Sequence, residues 1–348
     1  KITLVILNAT VLAFEYDHSV TFGMTHLFCR SMNFAMDFFM TIGIAASGAN
    51  AGESVRAAVL AAELLGRGAI GGFAVFAAML HDGKVCHCVT QRGGAAKLAI
   101  PDEWLLATRA AAICSGPDRP EPLQQFLPGF DGIGLVSGHR LPNRAGSDGE
   151  PLNRAVLRRL ASGELPQHAV DAVLHANGQS DAGLIAVDAQ GRIGWGNSQR
   201  VAARADLGSF HRSEGDRRLA ILHNSIYFMR DSADAVGSLA WGCLGGDASA
   251  YQFLSLPQGV ELRTAQSDRI QLDADGNIAL IETAAAQMSQ MSGRFTAIYL
   301  GTPVWQGAHL VGHMISELIG QVQDGCVVRS LDPVSAMVVM RKAVHVAS

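Results

Sequence analysis

The chain is 348 residues long, enough for one large domain or for a domain with an appended module. With 49% hydrophobic residues, only 17% charged and 38 glycines, it is too apolar to be disordered and too glycine-rich to be built mainly of long helices. Its formal net charge is −4 and its basic residues are scattered rather than massed, which argues against a phosphate-neutralising footprint, so no nucleic-acid partner is expected.

Residues 1–40 differ in texture from everything after them. Lys1 leads an apolar run as far as Phe14, but no small-residue cleavage site of the A-x-A kind follows it. Residues 22–39 are crowded with Phe and Met in neither a 3.6 nor a 2 period, and then Met40 opens the clean run Thr41-Ile-Gly-Ile-Ala-Ala-Ser-Gly48. Residues 1–40 therefore read as a leader, a propeptide or a misassigned upstream extension, with Met40 as the natural start.

From Thr41 the pattern predicts a strand over 41–46, a turn at Ser47-Gly48 and a helix over 51–65. In that helix Val55, Ala58, Val59, Ala62 and Leu65 keep an apolar stripe at helical spacing. Gly66 and Gly68 supply its stop. Strands over 73–80 and 84–90 follow, joined by the hairpin signal His81-Asp82-Gly83. In the second of them Cys86 and Cys88 share one face and His87 points to the other, a pattern of buried packing more than of a metal site. A connection carrying Pro117, Pro120, Pro122 and Pro128 leads to an apolar strand over 133–137, and helices over 151–161 and 166–176 each begin on proline. The hairpin grammar returns at 183–195, turning on Asp188-Ala-Gln-Gly191, and at 269–281, turning on Asp273-Ala-Asp-Gly276.

Beyond residue 230 the composition shifts, and residues 231–348 read as a C-terminal extension or small second module. A glycine-rich stretch over 242–246 precedes the third hairpin, and an apolar helix is predicted near 306–322. On it His309, His313 and Glu317 would fall at i, i+4 and i+8, which is ligand spacing for a divalent metal, but the remaining ligands are not identifiable. Gly66-Arg-Gly68-Ala-Ile-Gly71 matches the dinucleotide pattern by letter, yet a helix precedes it and a strand follows, the reverse of the order that seats pyrophosphate on a helix N-terminus. No cofactor and no metal are therefore expected. The six cysteines, at 29, 86, 88, 114, 243 and 326, form no CxxC pair, which fits a reducing, cytoplasmic compartment.

Several segments together carry a family resemblance. The run from Gly43 to Gly48, Thr90-Gln-Arg-Gly-Gly94, Gly134-Leu-Val-Ser-Gly-His-Arg-Leu-Pro-Asn143, Asp181-Ala-Gly-Leu-Ile-Ala-Val-Asp-Ala-Gln-Gly-Arg192 after its helix pair, and Leu219-Ala-Ile-Leu-His-Asn224 resemble Ntn-hydrolase-like proteins. These include an uncharacterised bacterial family and, for the hairpin, the isoaspartyl peptidase type. The resemblance covers about residues 41–230. It implies an α/β (α+β) fold, a layered sandwich of antiparallel hairpins flanked by helices, with the C-terminal extension added to it.

It also implies a mechanism, in which an N-terminal Thr, Ser or Cys uses its own free α-amino group as general base and attacks an amide carbonyl. Thr41 fits that role once Met40 is removed. The sequence departs from the isoaspartyl peptidase pattern at Asp181, preceded by Ser180, which stands where that group carries its cleaved threonine. His139, Arg140 and Asn143 follow a strand and enter a loop, where ligand groups gather. Arg92, beside Gly93-Gly94, could grip a carboxylate with both prongs, and His223-Asn224 could supply an oxyanion donor.

The candidate catalytic residues are thus Thr41, His139 and Asn224, with Arg92, Arg140 and Asn143 binding substrate. Thr41, Arg92, His139 and Arg140 are expected around one pocket. The expected function is hydrolysis of a small amide or peptide-like substrate; the alternative is a catalytically silent Ntn-like binding or assembly protein. The expected partner is a small-molecule substrate, with no membrane, and self-association into a homo-oligomer stays open.

Overall fold

The computed structural model describes residues 40–66, 70–226, 232–245, 250–330 and 337–343. Of the expected leader over 1–40 all but Met40 lies outside them, as does the middle of the 66–71 glycine run. Strand β1 (Thr41–Ser47) is buried on both faces, so its sequence is a continuous run of apolar and small residues rather than an alternating one. Ile42, Ile44 and Ala46 point towards helix α1 (Ala51–Leu65), where they meet Val55, Ala58, Val59 and Ala62 of the predicted stripe. Gly43 and Ala45 point the other way, as strand alternation requires.

β1 is central in a six-stranded antiparallel sheet of order β3-β2-β4-β1-β10-β9. Its other members are β2 (Ala74–Met79), β3 (Val85–Thr90), β4 (Arg109–Ser115), β9 (Leu207–Glu214) and β10 (Arg217–Asn224). A second antiparallel sheet, in the order β5-β6-β7-β8, holds β5 (Gly129–Phe130), β6 (Gly134–Arg140), β7 (Ala182–Asp188) and β8 (Ile193–Asn197). The two sheets face each other across a core in which Ala45, Val75, Ile113 and Leu222 meet Leu135, Ile185 and Val187. The outer face of the second sheet, with Val136, Leu184 and Ala186, packs on helices α2 (Leu152–Ala161) and α3 (Pro166–Ala176).

Helix α4 (Ser232–Gly245) joins α1 over the first sheet through Ala235, Val236, Leu239 and Trp241. The glycines expected to open the C-terminal zone thus fall partly within this helix. A Cβ at Gly237 or Gly245 would strike Phe210 or Arg217, so their small size serves close packing and the first unit runs past residue 230. The resulting order is helices, sheet, sheet, helices. The sheets approach closely where Gly43 faces Gly138, since a Cβ on Gly43 would run into the Gly138 carbonyl; nearby, Ser137 Oγ donates across the gap to the Ala112 carbonyl. Gly43→Ala should therefore cost about 1–3 kcal/mol, because backbone must part from backbone to admit the methyl group. Urea denaturation measures it, and an unchanged midpoint would contradict the close approach.

All three predicted hairpins form, and each turns on an aspartate and a glycine. Asp82 Oδ1 accepts from the Lys84 amide at 2.9 Å, Asp188 Oδ1 from Arg192 at 2.8 Å and Asp273 Oδ1 from Asn277 at 2.8 Å. Gly83, Gly191 and Gly276 take the positive φ values of 86°, 77° and 82° that complete these turns.

The remaining strands make a ten-stranded, mostly antiparallel sheet of β11 (Tyr251–Ser255), β12 (Val260–Thr264), β13 (Arg269–Leu272), β14 (Ile278–Thr283), β15 (Gly293–Ile298), β16 (Pro303–Gln306), β17 (His309–Met314), β18 (Leu318–Gln323), β19 (Cys326–Ser330) and β20 (Met337–Lys342). The helix expected near 306–322 is therefore absent, replaced by β17 and β18. Leu318, Gly320 and Val322 face inward while Ile319, Gln321 and Gln323 face out, a period of two, and Gly307 turns the chain at φ 59°. His309 and His313 both lie exposed on a strand, where four residues span roughly 13 Å, and Glu317 falls in the following turn. The metal-ligand face disappears with the helix that was to create it. Among the described residues no helix is long and apolar enough to cross a membrane.

Candidate active site

The sheet register brings three separate segments to one place. Thr41 lies directly opposite Asn224 of β10 on one side and Ser115 of β4 on the other, so all three side chains share the face turned to the second sheet. From that sheet the fully buried His139 reaches across: its Nδ1 is 3.1 Å from Asn224 Oδ1, and its Nε2 is 2.7 Å from Asn197 Oδ1. Gly183 lies opposite His139 on β7, and a Cβ there would occupy the space of the His139 ring and the Asn197 amide. The glycine keeps the slot open. Thr41 is itself buried, and its Oγ1 has no hydrogen-bond partner among the described residues. A buried hydroxyl in that condition is uncommon, because its desolvation goes uncompensated.

Burial is the main influence on His139 and lowers its pKa, despite the opposing effect of the two amide hydrogen bonds. The ring is therefore held neutral. A neutral imidazole donates through one nitrogen only, so one of the two asparagines turns its NH2 group to the ring. Asn224 Nδ2 also donates to Ser225 Oγ at 3.1 Å, and Ser225 in turn donates to the Asp206 carboxylate. Arg204 grips Asp206 with two bonds of 2.8 Å. Those Arg204 bonds, helped by Ser225 and opposed by burial, bring Asp206 down to about 2. A continuous polar chain thus runs from His139 through Asn224 and Ser225 to a fixed anion.

His223, the neighbour of Asn224, alternates to the opposite face of β10 and sets its ring over Gly208. Burial first, and then repulsion from His139, lower its pKa to about 4 against the attraction of Asp206. Because the unfolded chain binds this proton more readily, with a pKa of about 6.5, the stability contributed by neutral His223 is complete above pH 6.5 and is lost as pH falls towards 4. The linked loss is about 3 kcal/mol. Denaturation at a series of pH values should show this slope, and His223→Gln should flatten it; an equal slope in the variant would assign the acid lability elsewhere.

The other expected site residues separate. Arg140 ends β6 at φ 64° and forms a two-pronged ion pair with Asp181 at 3.0 and 2.7 Å, both side chains nearly buried. Burial raises the Asp181 pKa, but the hydrogen bonds and charge of Arg140, with Arg200 and Arg204, bring it below the ordinary value. Arg140 is thus already matched by a carboxylate of its own chain. Arg92 does not join the pocket expected of it: its side chain is 83% exposed and pairs with Asp118. Asn143 braces a loop, donating to Gln125 Oε1 at 2.8 Å.

Residues 41–253 match the family described as Domain of unknown function (DUF6963). The chain belongs to this family. Residues 259–335 match a second model, Domain of unknown function (DUF7259), whose described residues fall in the region of the ten-stranded sheet. No curated protein matches the chain. The DUF6963 segment takes in both facing sheets and helices α1 to α4. Within the DUF6963 unit the sequence reading missed Ser115, Arg119, Asn197 and the Ser225–Asp206 pair. Ser115 closes β4, whose run Ala110-Ala111-Ala112 has weak strand propensity and offered no periodic signal. Asn197 lies two residues past the predicted end of the second hairpin at Trp195, and its meeting with His139 depends on the β6–β7–β8 register.

Proposed function

We propose that this chain is an amide hydrolase of the N-terminal-nucleophile type, with Thr41 as the nucleophile after removal of everything through Met40. The observation that carries the reading is the setting of Thr41. It opens a central strand of the first sheet on the face turned to the second, its hydroxyl is buried without a hydrogen-bond partner among the described residues, and Asn224 and His139 converge beside it. The helix, sheet, sheet, helix order and the start of the family match at Thr41 agree with an Ntn-like layering. In this mechanism the freed α-amine takes the Thr41 hydroxyl proton as Oγ1 attacks the amide carbonyl. The same proton then passes to the leaving amine, and water hydrolyses the resulting ester. Asn224, anchored by His139, is assigned as oxyanion donor, and His139 as the residue that orients it. Amine release from small amides, compared between protein that starts at Thr41 and the chain that retains Met40, tests the assignment.

A second reading rests on a different observation. In the chain as described Met40 precedes Thr41 and is 4% exposed, so the threonine amine is tied up in a peptide bond and covered. A chain that stays in that condition is a catalytically silent binding module, and retention of Met40 in protein isolated from cells would favour it.

A further inference from the structure

Arg119 is held in place by three independent contacts, none of them from an acidic side chain. Its backbone is clamped by Gln91, whose Oε1 accepts the Arg119 N–H at 3.0 Å while Nε2 donates to the Arg119 carbonyl. Its Nε donates to Ser115 Oγ at 3.2 Å, and its guanidinium carbon lies 5.7 Å from the centre of the Phe126 ring. Ser115 is the residue opposite Thr41, so these contacts fix a half-buried cation beside the proposed nucleophile. Among the described residues no carboxylate pairs with it.

Its surroundings add positive charge. Asp181 is matched by Arg140 and lies in the field of Arg200 and Arg204, while Asp206 is taken by Arg204. Burial and repulsion from Arg140 both disfavour the charge on Arg119. Arg140, Arg200 and Arg204 thus outnumber the two carboxylates Asp181 and Asp206 that they surround, and Arg119 lies within reach of the Arg140 charge. Ordering an arginine this closely, without an internal counter-ion, is the arrangement expected where an anion arrives from outside.

We propose that Arg119 is the docking site for a carboxylate carried by the substrate, so that the substrates of this site are carboxylate-bearing amides of the N-acyl amino acid kind. The proposal rests on Thr41 as the attacking group. It adds a second fixed point: the carboxylate held beside Ser115 sets the direction from which the amide carbonyl meets Thr41. The role first expected of the surface residue Arg92 passes to a residue inside the fold.

The test separates docking from chemistry by using the Thr41→Ala chain, which keeps Arg119 and cannot turn over. N-acetylglycine and the uncharged N-acetylglycinamide are titrated against it, with the arginine Nε–H signals followed by NMR and the Arg119 signal assigned by its loss in Arg119→Lys. The acid should bind about tenfold or more tighter than the amide and shift the Arg119 signal. That preference should vanish in Arg119→Gln and survive in part in Arg119→Lys. No binding of N-acetylglycine, equal binding of the two probes, or a preference unchanged in Arg119→Gln overturns the proposal. Preference intact in this titration, together with no amine release from protein starting at Thr41, would sink the nucleophile assignment alone and leave the anion site standing.

Discussion

Protein beginning at Thr41 should release amine from a panel of small amides, and the same chain extended by Met40 should not. The extension converts the α-amine to an amide, and no other side chain within the described hydrogen bonds stands ready to replace it, since Thr41 Oγ1 has no partner among the described residues. Losing a positioned general base lowers a rate by about 10²–10⁴-fold, so the difference is large enough to read by amine detection. Thr41→Ala, which removes the attacking oxygen, should lose activity at least as severely. Thr41→Ser and Thr41→Cys keep a nucleophile at the same position and should retain a measurable part. His139 is neutral and hydrogen-bonded to two asparagines, so it is poorly placed to take over as base. Equal rates from the two chain forms would leave the mechanism without its base and move the weight to the silent binding module.

The largest loss of stability should come from Arg140→Ala. It leaves the Asp181 carboxylate in a nearly buried site without its two-pronged partner, and breaking a buried pair from one side costs about 3–5 kcal/mol. The pH dependence identifies the cause. In the native chain the Asp181 pKa is depressed, so its contribution is present above the ordinary carboxylate value near 4 and is lost as pH falls through the lower folded value. Without Arg140, burial acts with less opposition and raises that pKa, so the penalty is full near neutral pH and shrinks towards pH 4 as the carboxyl takes up a proton. Guanidinium denaturation of both proteins across this range measures it, and Arg140→Leu combined with Asp181→Leu should recover most of the loss. A penalty under about 1 kcal/mol, or one that does not narrow with acid, would mean that the pair behaves as a solvated surface bridge.

What the sequence determined by itself is local. The turns at Asp82-Gly83, Asp188 to Gly191 and Asp273 to Gly276 were legible because an aspartate oxygen capping nearby amides and a glycine at positive φ act within five residues. Helix α1 was legible from a stripe whose period belongs to the helix alone, and the prolines at 151 and 166 marked where α2 and α3 begin. Tertiary structure decided the rest. Residues 306–322 carry apolar side chains compatible with either period, and pairing of β17 with β16 and β20 and of β18 with β15 and β19 made them strands. The alanine-rich β4 became a strand because β1 and β2 flank it, and that pairing alone set Ser115 opposite Thr41. Arg140 looked like an exposed ligand group after a strand, but its ion pair with Asp181, forty-one residues away, buried it. Arg119 gave no motif, because its meaning lies in Gln91, Ser115 and Phe126 holding it still. The chain order named Thr41, His139 and Asn224 separately; only the register of two facing sheets put their side chains in one place, since contacts of that separation are fixed by sheet pairing and not by sequence spacing.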